Sequence, residues 1–347
     1  MGLTPAFRLV ANSADITAAI LDRFVSLTLT DEAGMESDTF EVTLADHDPL
    51  APIAMPATGA ELEVFLGYDN MVQRMGLFVV DEVELSGWPG QMTIRGKAAP
   101  FSTSKGGKTD LQTQKSRSWE KGTKMGALVA KIAGEHGMEP AVSESLKSIT
   151  LPHLDQTEES DISFLVRVAK RYDAIAKPAG GKLVMAKRGE SKNASGEELP
   201  PILVHASQVS AWRMTLAKRE SPGTVIAYYH QKRSAKRIEV KVGEGEPVRR
   251  LRHWYPDEKA AKDAAQAELD KRARGEHKFS LTMPGDPMLA AESPLVASGF
   301  RAGADGEWIV TRAVHSLSKG SGYQCDVEAE KPNDAEDDDG AGASEAA

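Results

Sequence analysis

The chain has 347 residues, of which 41% are hydrophobic, and a net charge of −9 at pH 7. This length and composition predict a globular protein of two or three domains, and no apolar run is long enough for a membrane span. The single cysteine, Cys325, excludes an internal disulfide framework and a cysteine-based metal site. Its alternating neighbours predict a buried strand position rather than a nucleophile.

The charge is distributed unevenly along the chain. Residues 1–96 carry 15 Asp and Glu against 4 Lys and Arg, and residues 334–347 carry 6 acidic residues and no basic one. The rest of the chain is net basic, so different faces are expected to meet different partners. Residues 331–347 are predicted to form a disordered acidic tail, because they are rich in Asp, Ala, Gly and Glu.

Residues 1–100 are predicted to form the first β-domain. Apolar and polar residues alternate in four stretches, namely 25–30, 39–44, 61–68 and 77–85. In the last of these stretches, the apolar residues that share a parity are Leu77, Val79, Val83 and Leu85. This alternation predicts half-buried antiparallel strands, and the turn residues between them favour a sandwich or a small barrel. For residues 15–22 a strand and a short helix both remain open.

Residues 101–200 are predicted to form a helix-containing α+β domain. The run at 102–109 superficially resembles a phosphate-binding loop but lacks the Walker spacing, so an exposed polar loop is predicted. Two basic residues beyond it are candidates for contact with a partner, Lys115 and Arg117. An apolar stripe predicts a helix over 123–137, with His136 packed at its end rather than serving as a ligand.

The segment 153–174 is the most informative stretch of this domain. It is predicted to be a loop followed by an amphipathic helix of about four turns. The residues that form the apolar face of this helix are Ile162, Leu165, Val168, Ala169 and Tyr172. Thr157 and Ser160 are both candidate N-caps.

Three acidic residues, Glu158, Glu159 and Asp161, cluster where this helix begins. A glycosidase needs two carboxylates, one of which has a raised pKa. Acidic residues in a first helical turn more often complement the helix dipole, and that interpretation is favoured here. His153 has no second His or Cys at ligand spacing. The sequence therefore predicts no catalytic residue, no cofactor and no metal ligand.

Residues 201–330 are predicted to form a second β-domain with an inserted helix at 257–274. The predicted strands lie at 207–216, 224–230, 236–242, 278–283, 294–299, 308–317 and 323–330. Many basic residues lie here, including Arg237, Arg250 and Arg252. Because no helix-turn-helix or zinc signature accompanies them, a solvated or partner-facing surface is favoured over nucleic-acid binding.

Several motifs resemble those of the phage late control gene D proteins. The central motif is the run His-Leu-Asp-Gln-Thr-Glu-Glu-Ser-Asp at 153–161, followed by Phe164-Leu165 and Arg171-Tyr172-Asp173-Ala174. The later motifs follow in order, namely Arg250-Leu251-Arg252-His253-Trp254-Tyr255, Arg274-Gly275, Gly285-Asp286-Pro287, Gly299-Phe300, Glu307-Trp308, His315-Ser316-Leu317 and Gly322-Tyr323. The resemblance covers about residues 5–330.

The resemblance implies a structural baseplate hub protein of a contractile phage tail or of a phage-tail-like bacteriocin, related to the N-terminal part of the type VI secretion VgrG spike proteins. It implies a mainly β fold, in which two small β-barrel, tube-like domains flank the helix-containing middle domain. It also implies a homotrimeric ring that adapts the sixfold tail tube to the threefold spike, and no enzymatic activity.

The implied partners are other copies of the chain, the tail spike protein and the tail tube or tube-initiator protein. Tape measure and baseplate wedge proteins are further candidates. The implied location is the tail baseplate of the particle, which is assembled in the host bacterial cytoplasm. The acidic N-terminal region is expected to line a channel or face the tube, where Glu41, Glu61 and Glu63 would keep DNA from adhering.

Two other functions stay open at this point. One is a hub-associated peptidoglycan-degrading enzyme, for which neither a nucleophile elbow nor a His-based zinc set is present. The other is a nucleic-acid-binding late-gene regulator, for which no docking motif is present.

Overall fold

The computed structural model describes residues 3–33, 37–48, 50–99, 110–179, 181–189, 199–217, 223–231, 236–275 and 277–332. Two predicted segments lie outside these residues, the polar loop at 102–109 and the acidic tail from residue 333 onwards. No helix in the described part of the chain is long and apolar enough to cross a membrane.

The N-terminal region is dominated by antiparallel strands. Its elements are β1 (Pro5–Ala11), β2 (Ala14–Asp15), α1 (Thr17–Ile20), β3 (Phe24–Glu32), β4 (Thr39–Ala45), β5 (Glu61–Tyr68), β6 (Met71–Ser86) and β7 (Gln91–Ala98). The predicted strands are confirmed, and the segment left open at 15–22 contains a one-turn helix. The alternation of apolar and polar residues did not predict β1, in which only Leu9 is fully buried.

The predicted parity of β6 is wrong. Phe78 and Val80 are buried at 2% and 1% exposure, whereas Leu85, on the predicted inner parity, is 56% exposed. The register of β6 against β7 shifts between Val80 and Glu82. Such a bulge adds a residue to one strand and reverses the faces beyond it, so no single parity can describe the whole strand.

The middle region combines two small sheets with helices. Its elements are β8 (Gln114–Trp119), α2 (Met125–Glu135), β9 (Glu139–Val142), α3 (Glu144–Lys147), β10 (Leu154–Ser160), α4 (Asp161–Lys170), β11 (Ala174–Ala179) and β12 (Lys182–Lys187). Strand β10 pairs with β8, and the second sheet has the order β11-β12-β9. The apolar faces of α2 and α4 meet in one core, which includes Leu128, Ile132, Phe164 and Leu165.

The segment before α4 is a strand, where a loop was predicted. Gln156, a polar residue, takes an inward position at 1% exposure, so hydrophobic alternation cannot reveal β10. The strand also has a register shift between Gln156 and Glu159, next to Glu158 at φ 46°. Helix α4 has 10 residues, which is shorter than the predicted four turns. Of the two candidate N-caps, Ser160 caps it by accepting the Ser163 N–H.

The C-terminal region contributes to two separate sheets. Its elements are β13 (Ile202–His205), β14 (Ala211–Leu216), β15 (Thr224–Gln231), β16 (Lys236–Gly243), β17 (Val248–Tyr255), α5 (Glu258–Arg274), β18 (His277–Pro284), β19 (Pro294–Ser298), β20 (Gly306–Ser318) and β21 (Gly322–Glu330). Helix α5 confirms the predicted inserted helix, with Asp257 as its N-cap. The pattern did not predict β17, a strand with three arginines.

Strands β16, β15 and β17 form a small sheet of their own, in that order. One face packs on α5, where Ala261 and Ala265 are fully buried against Val225 and Ala227. Small helix residues let the helix lie close to the sheet. This unit is therefore distinct from the strands that surround it in the sequence.

The remaining strands of both β-regions lie in one sheet. Its order is β14-β18-β21-β20-β3-β4-β7-β6-β5-β1-β2, with β19 paired to β20 and β13 paired to β19. The antiparallel pair β20–β3 joins the C-terminal to the N-terminal region. One core runs along the sheet, from Leu9 and Phe78 to Phe279 and Trp308. The mainly β fold is thus confirmed, and the two β-regions are joined directly.

Candidate functional site

The central sequence motif builds a polar network around one carboxylate. The side chain of Asp161, at the start of α4, has 0% exposure. Lys115 Nζ and Arg117 Nη2 each donate to it at 2.6 Å. Gln156 Nε2 donates at 2.8 Å, and His136 Nε2 lies 2.8 Å from the carboxylate. One buried group therefore links β8, β10, the end of α2 and the start of α4.

The network keeps Asp161 ionised. Burial alone would raise its pKa, but hydrogen bonds from Lys115, Gln156 and His136 and the charge of Arg117 outweigh burial. The pKa of Asp161 is lowered to about 2. A carboxyl group with this pKa carries no proton at neutral pH and cannot serve as a general acid.

The basic residues of the network are occupied within the chain. Arg117 Nη1 donates to both carboxylate oxygens of Glu135 at 2.7 Å, in addition to its bond with Asp161. Lys115 also lies 3.4 Å from Glu135. The two residues predicted to contact a partner thus have an intramolecular role. His136 is the C-cap residue of α2 with 4% side-chain exposure, which confirms its predicted packing at the helix end.

Three groups of this network lie close enough to hold a cation. One ligand atom each from Glu135, His136 and Asp161 lies within 4.8 Å of the others. The ammonium of Lys115 and the guanidinium of Arg117 contact the same carboxylates, however, and would repel a divalent cation. The arrangement fits a structural cross-link better than a metal centre.

The other predicted acidic residues do not join Asp161 in a catalytic pair. Glu159 forms an ion pair with Arg167 at 2.7 Å. Glu158 lies at the bulge of β10, where its N–H donates to Ser116 Oγ at 3.0 Å. His153 is exposed and lies 3.1 Å from Asp155. These contacts are those of a structural motif.

A second ionic junction, which hydrophobic periodicity did not reveal, joins the middle region to the small unit and the large sheet of the C-terminal region. Arg274, the last residue of α5, is 2% exposed. Its guanidinium contacts Asp173 of the middle region at 2.5 Å and Glu330 at the end of β21 at 3.1 Å. The only sequence signal is that Arg274 and Asp173 both lie in motifs of the resemblance.

A third junction connects the middle region to β3. Lys177 of β11 lies 3.3 Å from Asp38 and 3.6 Å from Asp31. Burial, together with the charge of Asp31, raises the pKa of Asp38 to about 6 despite the opposing charge of Lys177. The middle region is therefore held on the large sheet by charged groups as well as by the chain.

Large apolar side chains are exposed at several places on the large sheet, and two of these places include a tryptophan. At the β6–β7 turn, Trp88 is 93% exposed and Leu85 is 56% exposed. On β14, Trp212 is 40% and Leu216 is 61% exposed. Trp212 packs edge-on against Phe300, at 5.4 Å between ring centroids. Exposed apolar groups of this size mark candidate interaction surfaces.

The acidic N-terminal residues differ from the expected channel lining. Glu61 is 4% exposed, so its carboxylate does not face a channel in this structure. Glu41 pairs with Arg95 at 2.7 Å, and Glu63 pairs with Arg74 at 2.5 Å. The exposed negative charge of this surface is thus smaller than the sequence count suggests.

Comparison with known proteins decides the family. The family model for the phage tail baseplate hub (GPD) matches residues 32–321. The chain belongs to the phage tail baseplate hub family. The probable baseplate hub protein of Escherichia phage 186 is 32% identical over 372 residues, covering 94% of this chain and 93% of the relative. That of Escherichia phage P2 is 32% identical over 371 residues, with the same coverage. This hub protein is accordingly a component of the virion tail.

Solved structures share the fold of the hub. The 43 kDa tail protein of prophage MuSo2 from Shewanella oneidensis has a TM-score of 0.69 at 14% identity, covering 95% of this chain and 99% of the other. A tail protein from Neisseria meningitidis MC58 also reaches 0.69, at 10% identity and 94% and 97% coverage. A component of the Escherichia coli type VI secretion system reaches 0.55 at 7% identity, covering 88% of this chain and 73% of the other.

Proposed function

We propose that this hub assembles into a homotrimeric ring that joins the sixfold tail tube to the threefold spike. Each subunit supplies two tube-like β units, the first from residues 1–100 and the second from residues 201–330. Residues 101–200 form a separate middle domain beside them. Three subunits then present six similar units to the tube and three identical faces to the spike.

The observation that carries this proposal is the open sheet with two unlike edges. Among the described strands, the main path of the sheet ends at β14 on one side and at β1 and β2 on the other, and β13 forms a further edge beside β19. An edge strand has backbone groups free to pair with another chain. Two different edges on one subunit suit a head-to-tail contact, which closes into a ring when the rotation fits.

Side chains on the β14 edge support the same arrangement. The exposed apolar surface of Trp212 and Leu216 lies on this edge strand and would be buried by a neighbouring copy. An obligate interface is expected to be more apolar than the rest of the surface. On the opposite edge, the guanidinium of Arg8 lies 3.8 Å over the ring of Phe65.

The role that follows is mechanical rather than catalytic. The acidic motif stabilises the middle domain through the ionised Asp161, and the curated relatives are themselves hub proteins. The tail spike on one face and the tube or tube-initiator on the other are the partners that this role requires.

Engineered disulfides between the two edges test the ring. Cys325 is buried, so new surface cysteines are the only reactive thiols. Arg8→Cys on β1 combined with Arg213→Cys on β14 should give covalent dimers and trimers, and no larger ladder, under mild oxidation. Each single variant is the matched control and should stay monomeric on a denaturing gel. Dimers from one single variant would indicate a twofold contact and would contradict the head-to-tail ring.

A further inference from the structure

The small sheet has one face that is both basic and aromatic. Residues 224–255 hold eight Lys and Arg against three Glu. Side chains alternate between the two faces of a strand. Val240 and Val242 of β16 pack toward α5, so Arg237 and Lys241 of the same strand lie on the other face of the sheet. We call the exposed side chains on this side of the sheet the basic–aromatic face, namely His230, Arg237, Lys241, Arg250, Arg252 and Trp254. One carboxylate, Glu239, lies between Arg237 and Lys241 on the same side of β16.

Aromatic contacts hold the centre of this face in place. The guanidinium of Arg237 lies 3.4 Å over the ring of Tyr228 and 5.8 Å from that of Trp254. The rings of His230 and Trp254 lie 5.5 Å apart. Trp254 is nevertheless 54% exposed. The cation is therefore positioned by stacking, while its charge is left available to a ligand.

The other cations of the face have no carboxylate partner in the described part of the chain. Lys241, Arg250 and Arg252 form no ion pair there. Arg249, on the opposite side of β17, is by contrast paired with Glu268 of α5 at 2.7 Å. The face thus carries four cations against one carboxylate, that of Glu239, and the ligand that suits this positive surface is a polyanion.

We propose that the acidic C-terminal segment 333–347 of the same chain binds this face. The segment has six acidic residues and no basic residue, which matches the charge of the face. Strand β21 ends at Glu330, whose carboxylate accepts a hydrogen bond from Arg274 Nε at 3.1 Å. Arg274 is the last residue of α5, so the chain leaves the large sheet beside the small unit.

The length of the segment is sufficient for this contact. Fifteen residues reach about 50 Å when extended. Helix α5, which covers the inner face of the small sheet, is about 25 Å long. The segment can therefore pass around the unit to its outer face. The contact is electrostatic and needs no fixed fold of the segment, and a tether keeps the local concentration of acidic groups high.

This contact goes beyond the hub role and assigns a function to the segment 333–347, which is competition with nucleic acid for the basic–aromatic face. A bare basic–aromatic face would bind nucleic acid through phosphate contacts and base stacking. The tethered acidic segment competes for the same groups. It therefore keeps nucleic acid off this part of the hub.

A synthetic peptide of residues 333–347, labelled with fluorescein, tests the contact directly. It is titrated with the chain ending at residue 332, and fluorescence anisotropy is followed at about 50 mM salt. The peptide should bind, and the double change Lys241→Ala and Arg250→Ala should weaken binding about tenfold. A matched control, Lys121→Ala with Arg213→Ala, removes two exposed cations elsewhere and should leave affinity unchanged. No binding, or equal loss in both variants, would overturn the proposal.

A second measurement uses the full chain. A labelled single-stranded oligonucleotide should bind the chain ending at residue 332 more tightly than the full chain, by about tenfold at low salt. Thermal unfolding followed by circular dichroism checks that both proteins are folded. Equal affinity for the two proteins would mean that the segment does not cover the face, and the proposal would be wrong.

Discussion

Leu29 in β3 lies opposite His315 in β20, and this antiparallel register joins β-regions from the two ends of the chain. Leu29 is 3% exposed and belongs to the core that runs along the large sheet. Neither β-region completes this core alone. The two regions are therefore expected to gain and lose structure together.

Leu29→Ala tests that coupling. Loss of a buried leucine is expected to cost about 2–5 kcal/mol of unfolding free energy. Hydrogen exchange should speed up in β5 and β6 and, to a similar extent, in β18 and β21. Leu203→Ala, at a position 72% exposed, is the control and should change neither. Faster exchange confined to the N-terminal strands would show that the regions are independent.

Asp161→Ala is expected to be among the most damaging changes in the middle domain. It removes the carboxylate that neutralises the partly buried cations of Lys115 and Arg117. Loss of one partner of a buried ion pair lowers the free energy of unfolding by about 3–5 kcal/mol. Urea unfolding measures this cost. Asp155→Ala removes an exposed carboxylate from the same strand and should have little effect. Equal stability of the two variants would contradict the structural role of the network.

Stability should fall as the pH rises through neutrality. Burial raises the pKa of Glu292 to about 7, although the Gly189 N–H and the charge of Arg188 oppose the shift. The pKa of Glu292 in the folded protein lies above its value in the unfolded chain. The contribution of Glu292 to the free energy of unfolding is therefore fully present below about pH 4.5 and is lost as the pH rises through about 7. Unfolding free energies at about pH 5 and about pH 8 should differ by roughly 2–3 kcal/mol from this group.

Glu292→Gln separates this group from other titrations. The variant should lose that part of the pH dependence and should be more stable than the parent protein at the higher pH. Asp38, whose pKa is raised to about 6, contributes with the same sign and is retained in the variant. An unchanged slope would mean that Glu292 titrates normally in the folded protein.

Cys325 should be unreactive in the folded hub. It is 0% exposed in β21, and burial raises its pKa to about 12. The thiolate, which is the reactive form, is therefore nearly absent. A thiol reagent should react at the unfolding rate in native buffer and at once in urea. Rapid reaction under native conditions would contradict the buried strand position.

Hydrophobic periodicity was sufficient for most of the fold. It located α5 almost to the residue, because its buried alanines recur at helical spacing while the other side of the helix is polar. Hydrophobic periodicity did not reveal β10 or β17. Gln156 in β10 and the arginines in β17 occupy positions that hydrophobic periodicity assigns to the polar surface. It also failed for β6, where a bulge changes the parity.

The contacts between regions could not be predicted from the sequence. Asp161 was assigned to the helix dipole, but its four partners come from segments between 115 and 156. No local pattern distinguished Arg274, since a basic residue in the last turn of a helix is ordinary. Long-range ion pairs depend on packing that local patterns do not encode. The family motifs found these positions without revealing their roles.

Light scattering tests the trimeric ring most directly. The molar mass of the purified hub is measured alone and after mixing with the spike protein of the same particle. A hub component of three times 37.3 kDa is expected in at least one of the two samples. Leu216→Asp, at a position of the β14 edge that is 61% exposed, should shift that sample toward single subunits while leaving the unfolding temperature nearly unchanged. A strict monomer in both samples would contradict the ring.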